Sequence, residues 1–97
     1  MLMLCVGLIT LTGCASKTSS TQVQTVKVGV IAPLSGPPAN YGEDAVHAYS
    51  FITDKWNKEH PELQIQLVIE DGKCDGKDAA SAAQKLISVD NVQVIVG

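Results

Sequence analysis

Three apolar segments that alternate with two helical patterns constrain the fold of this 97-residue chain more than any other feature. Residues 26–32, 63–71 and 91–97 are rich in valine, isoleucine and leucine, which favours β-strands. Residues 43–59 and 78–89, which lie between them, carry apolar side chains three and four positions apart, as amphipathic helices do. The order β-α-β-α-β predicts an α/β fold that starts a doubly wound parallel sheet with right-handed crossovers.

The polarity of the first two strands predicts where they lie in the sheet. Residues 26–32 are apolar except for one lysine and one glycine, so we expect both faces of this strand to be covered. Residues 63–69 begin with strict alternation of apolar side chains and glutamine, which predicts one better-covered face and a place near a sheet edge. Ligands bind outside the carboxyl ends of such strands, so the loops at residues 33–42 and 72–77 are the expected site.

Each predicted helix has an apolar stripe and recognisable ends. In the first helix we expect acidic Glu43 and Asp44 in the first turn, where they suit the helix dipole, and Pro61 after the end. Its predicted inward side chains are Ala45, Ala48, Tyr49, Ile52 and Trp56, and its outward ones are His47, Ser50, Asp54 and Asn57. In the second helix we expect Asp78 as the N-cap and an inward face made of Ala79, Ala82, Ala83 and Leu86.

The amino-terminal segment has the features of an export signal. Residues 1–16 carry no charge, and their apolar run of about 12 residues is shorter than the roughly 20 that a membrane-spanning helix needs. A short apolar run followed by small residues is typical of a secretory signal peptide. The basic start of such peptides is missing, which points to a start site upstream or a wrongly assigned methionine. Leu11-Thr12-Gly13-Cys14 resembles the bacterial lipoprotein signal, in which cleavage precedes the cysteine and lipid is attached to its sulfur.

This signal predicts the organisation of the whole chain. Residues 1–13 are the expected lipoprotein signal peptide, residues 14–25 hold the lipidated Cys14 and a flexible linker, and residues 26–97 are the folded part. The mature protein would lie in the periplasm or on the cell surface, anchored to the membrane by the lipid on Cys14. The alternative is an ordinary buried segment that contains a chance cysteine.

Cys74 is then the only thiol left in the mature chain, since Cys5 leaves with the signal peptide and Cys14 carries lipid. An odd cysteine in an exported protein suggests a partner elsewhere or a reactive thiol. The last apolar strand also has no helix after it, so we expect the folded part to be truncated and its core to be small.

Composition and motifs argue against several other functions. The net charge is −3 and the seven basic residues are lysines without a cluster, so we expect no nucleic-acid partner. His47 and His60 have no neighbouring ligands, and Asp71, Asp75 and Asp78 fit turn chemistry better than a calcium loop, so no metal is expected. Neither a GxGxxG motif nor a nucleophile–base pair is visible, so we expect no cofactor and no enzymatic activity.

The folded part carries the motifs of a known family. Residues 26–57, VKVGVIAPLSGPPANYGEDAVHAYSFITDKWN, contain a PLSGP…YG loop after the first strand, and VIVG ends the chain. Between them lies a stretch with Glu70, Asp71, Cys74, Asp75 and Ala79. Together with the lipoprotein signal and linker, these motifs resemble the type I periplasmic solute-binding proteins of ABC transporters, in the branch that binds leucine, isoleucine and valine. The resemblance covers nearly all of residues 26–97.

The resemblance implies a function and two site residues. In this family two α/β lobes close around one small solute and deliver it to an ABC permease in the membrane, and this chain would supply part of the amino-terminal lobe. The match implies that Tyr41 contacts the ligand; the alternative is that Tyr41 only packs locally. The match also implies that Cys74 forms a disulfide with a cysteine shortly after VIVG, beyond Gly97; the alternative is a free surface cysteine. Ser35 and Gly36 in the first loop are expected to be structural.

Three functions stay open on the sequence alone. The first is an extracytoplasmic solute-binding lipoprotein of an ABC importer for branched-chain or related amino acids, of which this fragment alone is not expected to bind solute. The second has the same fold but takes an amide, urea or an aromatic acid. The third is an envelope lipoprotein that contacts a cell-wall enzyme without transporting a solute.

Overall fold

The structure, a computed structural model, describes residues 22–97 together with Gly13 and Ser20. It contains, in chain order, β1 (Gln24–Ala32), α1 (Ala39–Glu59), β2 (Leu63–Asp71), α2 (Gly76–Ser88) and β3 (Val94–Val96). The predicted β-α-β-α-β order is confirmed, and β2 has the predicted ends. The predicted signal peptide and the lipidated Cys14 lie outside the described residues, apart from Gly13.

The three strands form one parallel sheet in the order β2-β1-β3. β1 pairs with β2 along its whole length, in a register that places Ala32 opposite Asp71. It pairs with β3 nearer its end, where Val30 lies opposite Val96. β1 is therefore central, and β2 lies at an edge of the described sheet, as its alternating residue pattern predicted.

Helices cover both faces of the sheet because the two crossovers run in opposite directions. The step from β1 to β2 goes one way and the step from β2 to β3 goes back, so right-handed connections place α1 and α2 on opposite faces. On the α2 face, Leu86 is fully buried against Gly29, where an added Cβ would come within 2.8 Å of the Leu86 Cδ1 atom. Val30, the next residue along β1, points to the other face and is also fully buried.

The start of α1 differs from the prediction. The helix begins at Ala39, four residues before Glu43, so the predicted acidic residues do not lie in the first turn. Pro38 precedes the helix with φ −85° and ψ 6°, and its carbonyl accepts a hydrogen bond from the Tyr41 N–H at 3.1 Å. Because the proline ring restricts φ near the helical value, the Pro37-Pro38 pair starts the helix inside the segment predicted as a loop.

The inward face of α1 is also rotated from the predicted one. Ile52 was predicted to be buried but is 64% exposed, and Ala48 is exposed as well. Asn57 was predicted to face solvent, but its side chain donates to the Ile65 carbonyl at 2.9 Å and accepts from the Ile65 N–H at 2.7 Å. The physical reason is that β2 is an edge strand with unpaired backbone groups, and a carboxamide can satisfy one donor and one acceptor at once.

The carboxyl end of α1 is fixed by its aromatic side chains. The Trp56 indole N–H donates to the Leu63 carbonyl at 3.1 Å. Its ring stacks on the His60 ring, with centroids 3.7 Å apart and planes 13° from parallel. His60 follows the last helical residue, and its N–H bonds to the Trp56 carbonyl at 2.9 Å. These contacts turn the chain from α1 into β2 at the amino edge of the sheet.

The N-cap of α2 is Asp75 rather than the predicted Asp78. One Asp75 side-chain oxygen accepts from the N–H of Lys77 at 2.9 Å and of Asp78 at 3.1 Å. Asp78 lies in the first turn, where its charge suits the helix dipole. Of the predicted inward face, Ala82 and Leu86 are buried.

The third strand is shorter than predicted. β3 begins at Val94, because Asn91 has a φ of 53° and turns the chain before it reaches the sheet. Gln93 reaches β1 first, through a backbone N–H that donates to the Lys27 carbonyl at 2.9 Å. A left-handed residue cannot continue an extended strand, so the asparagine marks a turn.

Candidate functional site at the carboxyl edge of the sheet

The carboxyl ends of all three strands meet at one edge of the sheet, as the parallel order requires. An open cavity of about 530 Å³ lies there, a volume within the range of small-molecule sites. Its walls come from the end of β1, the turn after β2, the start of α2 and the end of β3. They include Ala32, Gly72, Cys74, Asp75, Val96 and Gly97. The structure therefore brings Cys74 and Asp75 to this cavity, whereas Tyr41 does not line it.

Asp71 connects the two loops at this edge. Its Oδ1 accepts from the Leu34 N–H at 2.9 Å, and its Oδ2 accepts from the Ser35 hydroxyl at 2.6 Å. Oδ1 also accepts from the Lys73 N–H at 2.9 Å. The Ser35 hydroxyl, followed by the Leu34 N–H, holds the pKa of the Asp71 carboxyl below its usual range. Sequence analysis missed this link, because no local pattern signals a contact across 36 and 37 positions of the chain.

Tyr41 lies in the first turn of α1, immediately after the first loop. Its side chain is 80% exposed. The preceding loop turns at Gly36, whose φ of 75° is accessible to glycine at little cost. Ser35 holds Asp71, so both residues have the structural part that the sequence predicted for them. A contact between Tyr41 and a ligand remains a proposal.

The turn after β2 has an unusual backbone. Lys73 and Cys74 both have a φ of 51°, and the Asp75 N–H donates to the Gly72 carbonyl at 2.9 Å. Two successive positive φ values inside such a turn are typical of type I′, in which glycine and asparagine usually occupy the central positions. The sequence predicted a loop at residues 72–77 but not this type of turn, because lysine and cysteine are not the residues that favour positive φ values. Cys74 is exposed and forms no disulfide within the part of the chain that the structure describes.

A lysine-centred cluster on the α2 face lies outside the cavity. Lys85 forms ion pairs with Glu70 and, at 3.0 Å, with Asp90. The hydrogen bond that Lys85 donates to Glu70, followed by the one it donates to Asp90, raises the pKa of Lys85 above its ordinary value. Lys27 also donates to the Asp90 carbonyl at 3.2 Å. The cluster ties α2 and the following turn to the sheet.

The described residues contain no group of three or more histidine, cysteine, aspartate or glutamate side chains that could hold a metal ion. Across residues 22–97 no helix is long and apolar enough to cross a membrane.

The described residues form an α/β unit with a cavity at the carboxyl edge of a parallel sheet, which is where doubly wound α/β proteins bind small ligands. Residues 25–97 match the sequence profile of the Periplasmic binding protein family, and the chain belongs to this family. The expected family and fold class are thereby confirmed.

The chain is similar to several curated binding proteins. It is 34% identical over 74 residues to a Leu/Ile/Val-binding protein of Rhizobium johnstonii, covering 74% of this chain and 20% of that protein. It is 32% identical over 97 residues to the Leu/Ile/Val-binding protein of Escherichia coli K12, covering 94% of this chain and 26% of that protein. A leucine-, isoleucine-, valine-, threonine- and alanine-binding protein of Pseudomonas aeruginosa is 31% identical over 80 residues, covering 80% of this chain and 21% of that protein.

Solved structures agree with these relatives. An ABC transporter substrate-binding protein from Sphaerobacter thermophilus matches with a TM-score of 0.67 and 26% identity, over 74% of this chain and 19% of that one. A possible leucine/isoleucine/valine-binding protein from Rhodopirellula baltica SH 1 matches with a TM-score of 0.72 and 26% identity, over 82% of this chain and 22% of that one. All these proteins are named for binding, in agreement with the prediction that the chain is not an enzyme. The chain spans about a fifth to a quarter of the length of its curated relatives, from 20% to 26%.

Proposed function

We propose that this chain supplies part of the first lobe of an extracytoplasmic solute-binding lipoprotein that serves an ABC importer. The proposed solute is a branched-chain or related amino acid. The single observation that carries the proposal is the family match over residues 25–97, together with relatives named for binding leucine, isoleucine and valine. The open cavity at the carboxyl edge supports it, because this is where such sheets receive small ligands.

Tyr41 is the proposed ligand-contacting residue of this lobe. An aromatic ring provides apolar contact area for an aliphatic solute at low entropic cost. Its 80% exposure leaves the ring accessible from outside the lobe, where a second lobe would close over a bound solute. Replacing Tyr41 by alanine should therefore weaken solute binding without a comparable loss of stability.

Cys74 is proposed to form a disulfide with a cysteine shortly after β3. Its exposure and its position at the cavity wall beside Val96 and Gly97 support this pairing. Closing a loop of roughly 25 residues stabilises a fold by about 3 kcal/mol in the chain-entropy model. Thiol titration of the oxidised and the reduced protein tests the pairing, and a freely reactive Cys74 under oxidising conditions would contradict it.

The anchor and the location are further proposals. The Leu11-Thr12-Gly13-Cys14 motif supports cleavage after residue 13 and lipid on Cys14, which would hold the lobe outside the cytoplasm. Mass spectrometry of the membrane-extracted protein should find the lipidated cysteine at the amino terminus. A Cys14→Ala variant should leave the membrane fraction.

Calorimetry on a protein that carries this lobe at the length of its relatives tests the proposed solute. We expect heat of binding with leucine, isoleucine or valine. If heat of binding is observed only with amides, urea or aromatic acids, the proposed solute is wrong and one of these compounds replaces it. Absence of heat with every small solute would overturn it and favour a protein-contacting envelope lipoprotein.

A further inference from the structure

We infer that Asp71 is a positioning residue for solute binding, because its carboxylate locks the loop that leads into Tyr41 to the turn that carries Cys74. The consequence for solute affinity rests on the proposed function. The lock itself is a set of contacts among the described residues, and it can be tested separately.

The first half of the lock spans the space between the two loops. Asp71 is the last residue of β2, and it holds the Leu34 N–H at 2.9 Å and the Ser35 hydroxyl at 2.6 Å. Within residues 22–97 these are the side-chain hydrogen bonds that join the loop after β1 to the end of β2. Removing the carboxylate would leave the Leu34 N–H without its partner and the loop without this anchor.

The second half of the lock holds the strained turn. The same oxygen that accepts from Leu34 accepts from the Lys73 N–H at 2.9 Å. Lys73 and Cys74 sit at a φ of 51°, a conformation that non-glycine residues adopt only when surrounding contacts impose it. The Asp71 carboxylate provides one such contact, so it fixes the direction in which Cys74 leaves the sheet.

Hydrogen bonds connect the first loop to the start of α1, so the position of the loop affects the position of the helix. The Gly36 carbonyl accepts from the Ala39 N–H at 3.1 Å, and the Pro38 carbonyl accepts from the Tyr41 N–H at 3.1 Å. These bonds connect the segment anchored by Asp71 to the turn that carries Tyr41. A change at Asp71 therefore reaches Tyr41 through a short, hydrogen-bonded segment, without Asp71 touching a solute.

Hydrogen exchange on the 97-residue chain tests the lock. In Asp71→Ala, the amides of Leu34 and Lys73 should exchange about tenfold faster or more, since each loses a charged acceptor. The matched control is Glu70→Gln, which removes a neighbouring carboxylate that contacts Lys85 and not these loops. The amide of Val30 in the central strand should keep its rate in both variants. Unchanged rates at Leu34 and Lys73, or an equal increase at all three amides, would overturn the lock.

Calorimetry with leucine tests the predicted effect on solute affinity. It uses a protein that carries this segment at the length of its relatives. Asp71→Ala should weaken binding about tenfold, and Glu70→Gln should not. Asp71→Asn keeps one acceptor oxygen but cannot titrate. We expect the solute affinity of the wild type to fall when the pH drops below the ordinary aspartate range, and the affinity of Asp71→Asn not to show this fall. Equal affinities of Asp71→Ala and wild type, or identical pH profiles of Asp71→Asn and wild type, would overturn the inference. If the wild type binds no solute, the proposed function fails, while the exchange experiment still decides the lock.

Discussion

Gly42 shows how one residue sets the entry into α1. The Pro33 carbonyl oxygen lies 1.8 Å from the position that a Cβ on Gly42 would occupy, so the loop folds back onto the helix at this glycine. The sequence predicted a loop over residues 33–42, because this segment is dense in proline and glycine. In the structure the glycine allows a close approach of two backbone segments instead.

We expect Gly42→Ala to destabilise the chain by about 1–3 kcal/mol, because backbone must move to admit the methyl group. The control is Gly76→Ala at the start of α2, where an added Cβ meets nothing within 4 Å. That change should be neutral or stabilising by up to about 1 kcal/mol. Urea denaturation of both variants measures the difference. Equal unfolding midpoints of the two variants would show that the loop at Pro33 can move aside at little energetic cost.

Lys85 should make the stability of the folded chain depend on pH in the alkaline range. Its pKa is raised by the hydrogen bonds that it donates to Glu70 and Asp90, so the folded state binds the proton more tightly than the unfolded state does. The resulting stability is present below about pH 10.4, the ordinary lysine value, and is lost as the pH rises through the folded pKa. In urea denaturation, Lys85→Met should lose less stability above that pH than the wild type. Lys77→Met, which removes a lysine without an ion pair in the described structure, should follow the wild type.

At the scale of elements, the apolar pattern of α1 does not account for all of the contacts that hold this helix on the sheet. The stripe that includes Ala48 and Ile52 predicted the buried face, yet Asn57 is the side chain that holds the edge of β2. Hydrophobic periodicity finds helices because apolar burial is the largest favourable contribution to folding. This periodicity does not predict that Asn57 pairs with the exposed edge of β2. That contact depends on the register of a strand that begins six residues further along the chain.

We expect Asn57→Ala to cost about 1–3 kcal/mol in unfolding free energy, since two backbone groups of Ile65 lose their partner. Asp54→Ala, on the exposed side of the same helix, should change stability by less than about 0.5 kcal/mol. Ile52→Ser belongs with this second group because the side chain is 64% exposed. A large loss for Ile52→Ser would restore the predicted inward face and contradict the observed one.

Strand β2 was predicted with both of its ends and the N-cap of α2 was not, for physical reasons. β2 is bounded by proline and glycine and is rich in β-branched residues, so both of its ends were found. The N-cap of α2 was placed on Asp78, because Asp75 and Asp78 are both acceptable capping residues and sequence alone does not choose between them. The choice is made by the turn through Lys73 and Cys74, whose positive φ values no residue pattern predicted.

At the scale of the whole molecule, the part of the chain that the structure describes has a small core. The fully or nearly buried apolar side chains among the described residues are Val30, Ala32, Ala82 and Leu86. The lobe offers Tyr41 and a cavity wall, whereas in the proposed function a second lobe closes over the solute. In the proposed function this segment would therefore contact the solute from one side only.

We expect residues 26–97 alone to bind no branched-chain amino acid, because one open wall cannot enclose the solute or satisfy both of its charged groups. Calorimetry or equilibrium dialysis with leucine on this segment checks the expectation. A dissociation constant of roughly micromolar or tighter, corresponding to about −8 kcal/mol, would show that the pocket is already complete.

The stacked Trp56 gives the protein a built-in optical probe. It is the single tryptophan of the chain, and its indole lies against His60 at the start of β2. Asp71 and the cavity lie at the other end of that strand, roughly 26 Å away at about 3.3 Å per residue. Tryptophan emission should therefore follow the docking of α1 onto β2 and stay insensitive to events at the cavity. Emission excited at 295 nm can thus report the loss of the contact between α1 and β2 on unfolding, and a change at the cavity needs a second probe placed there.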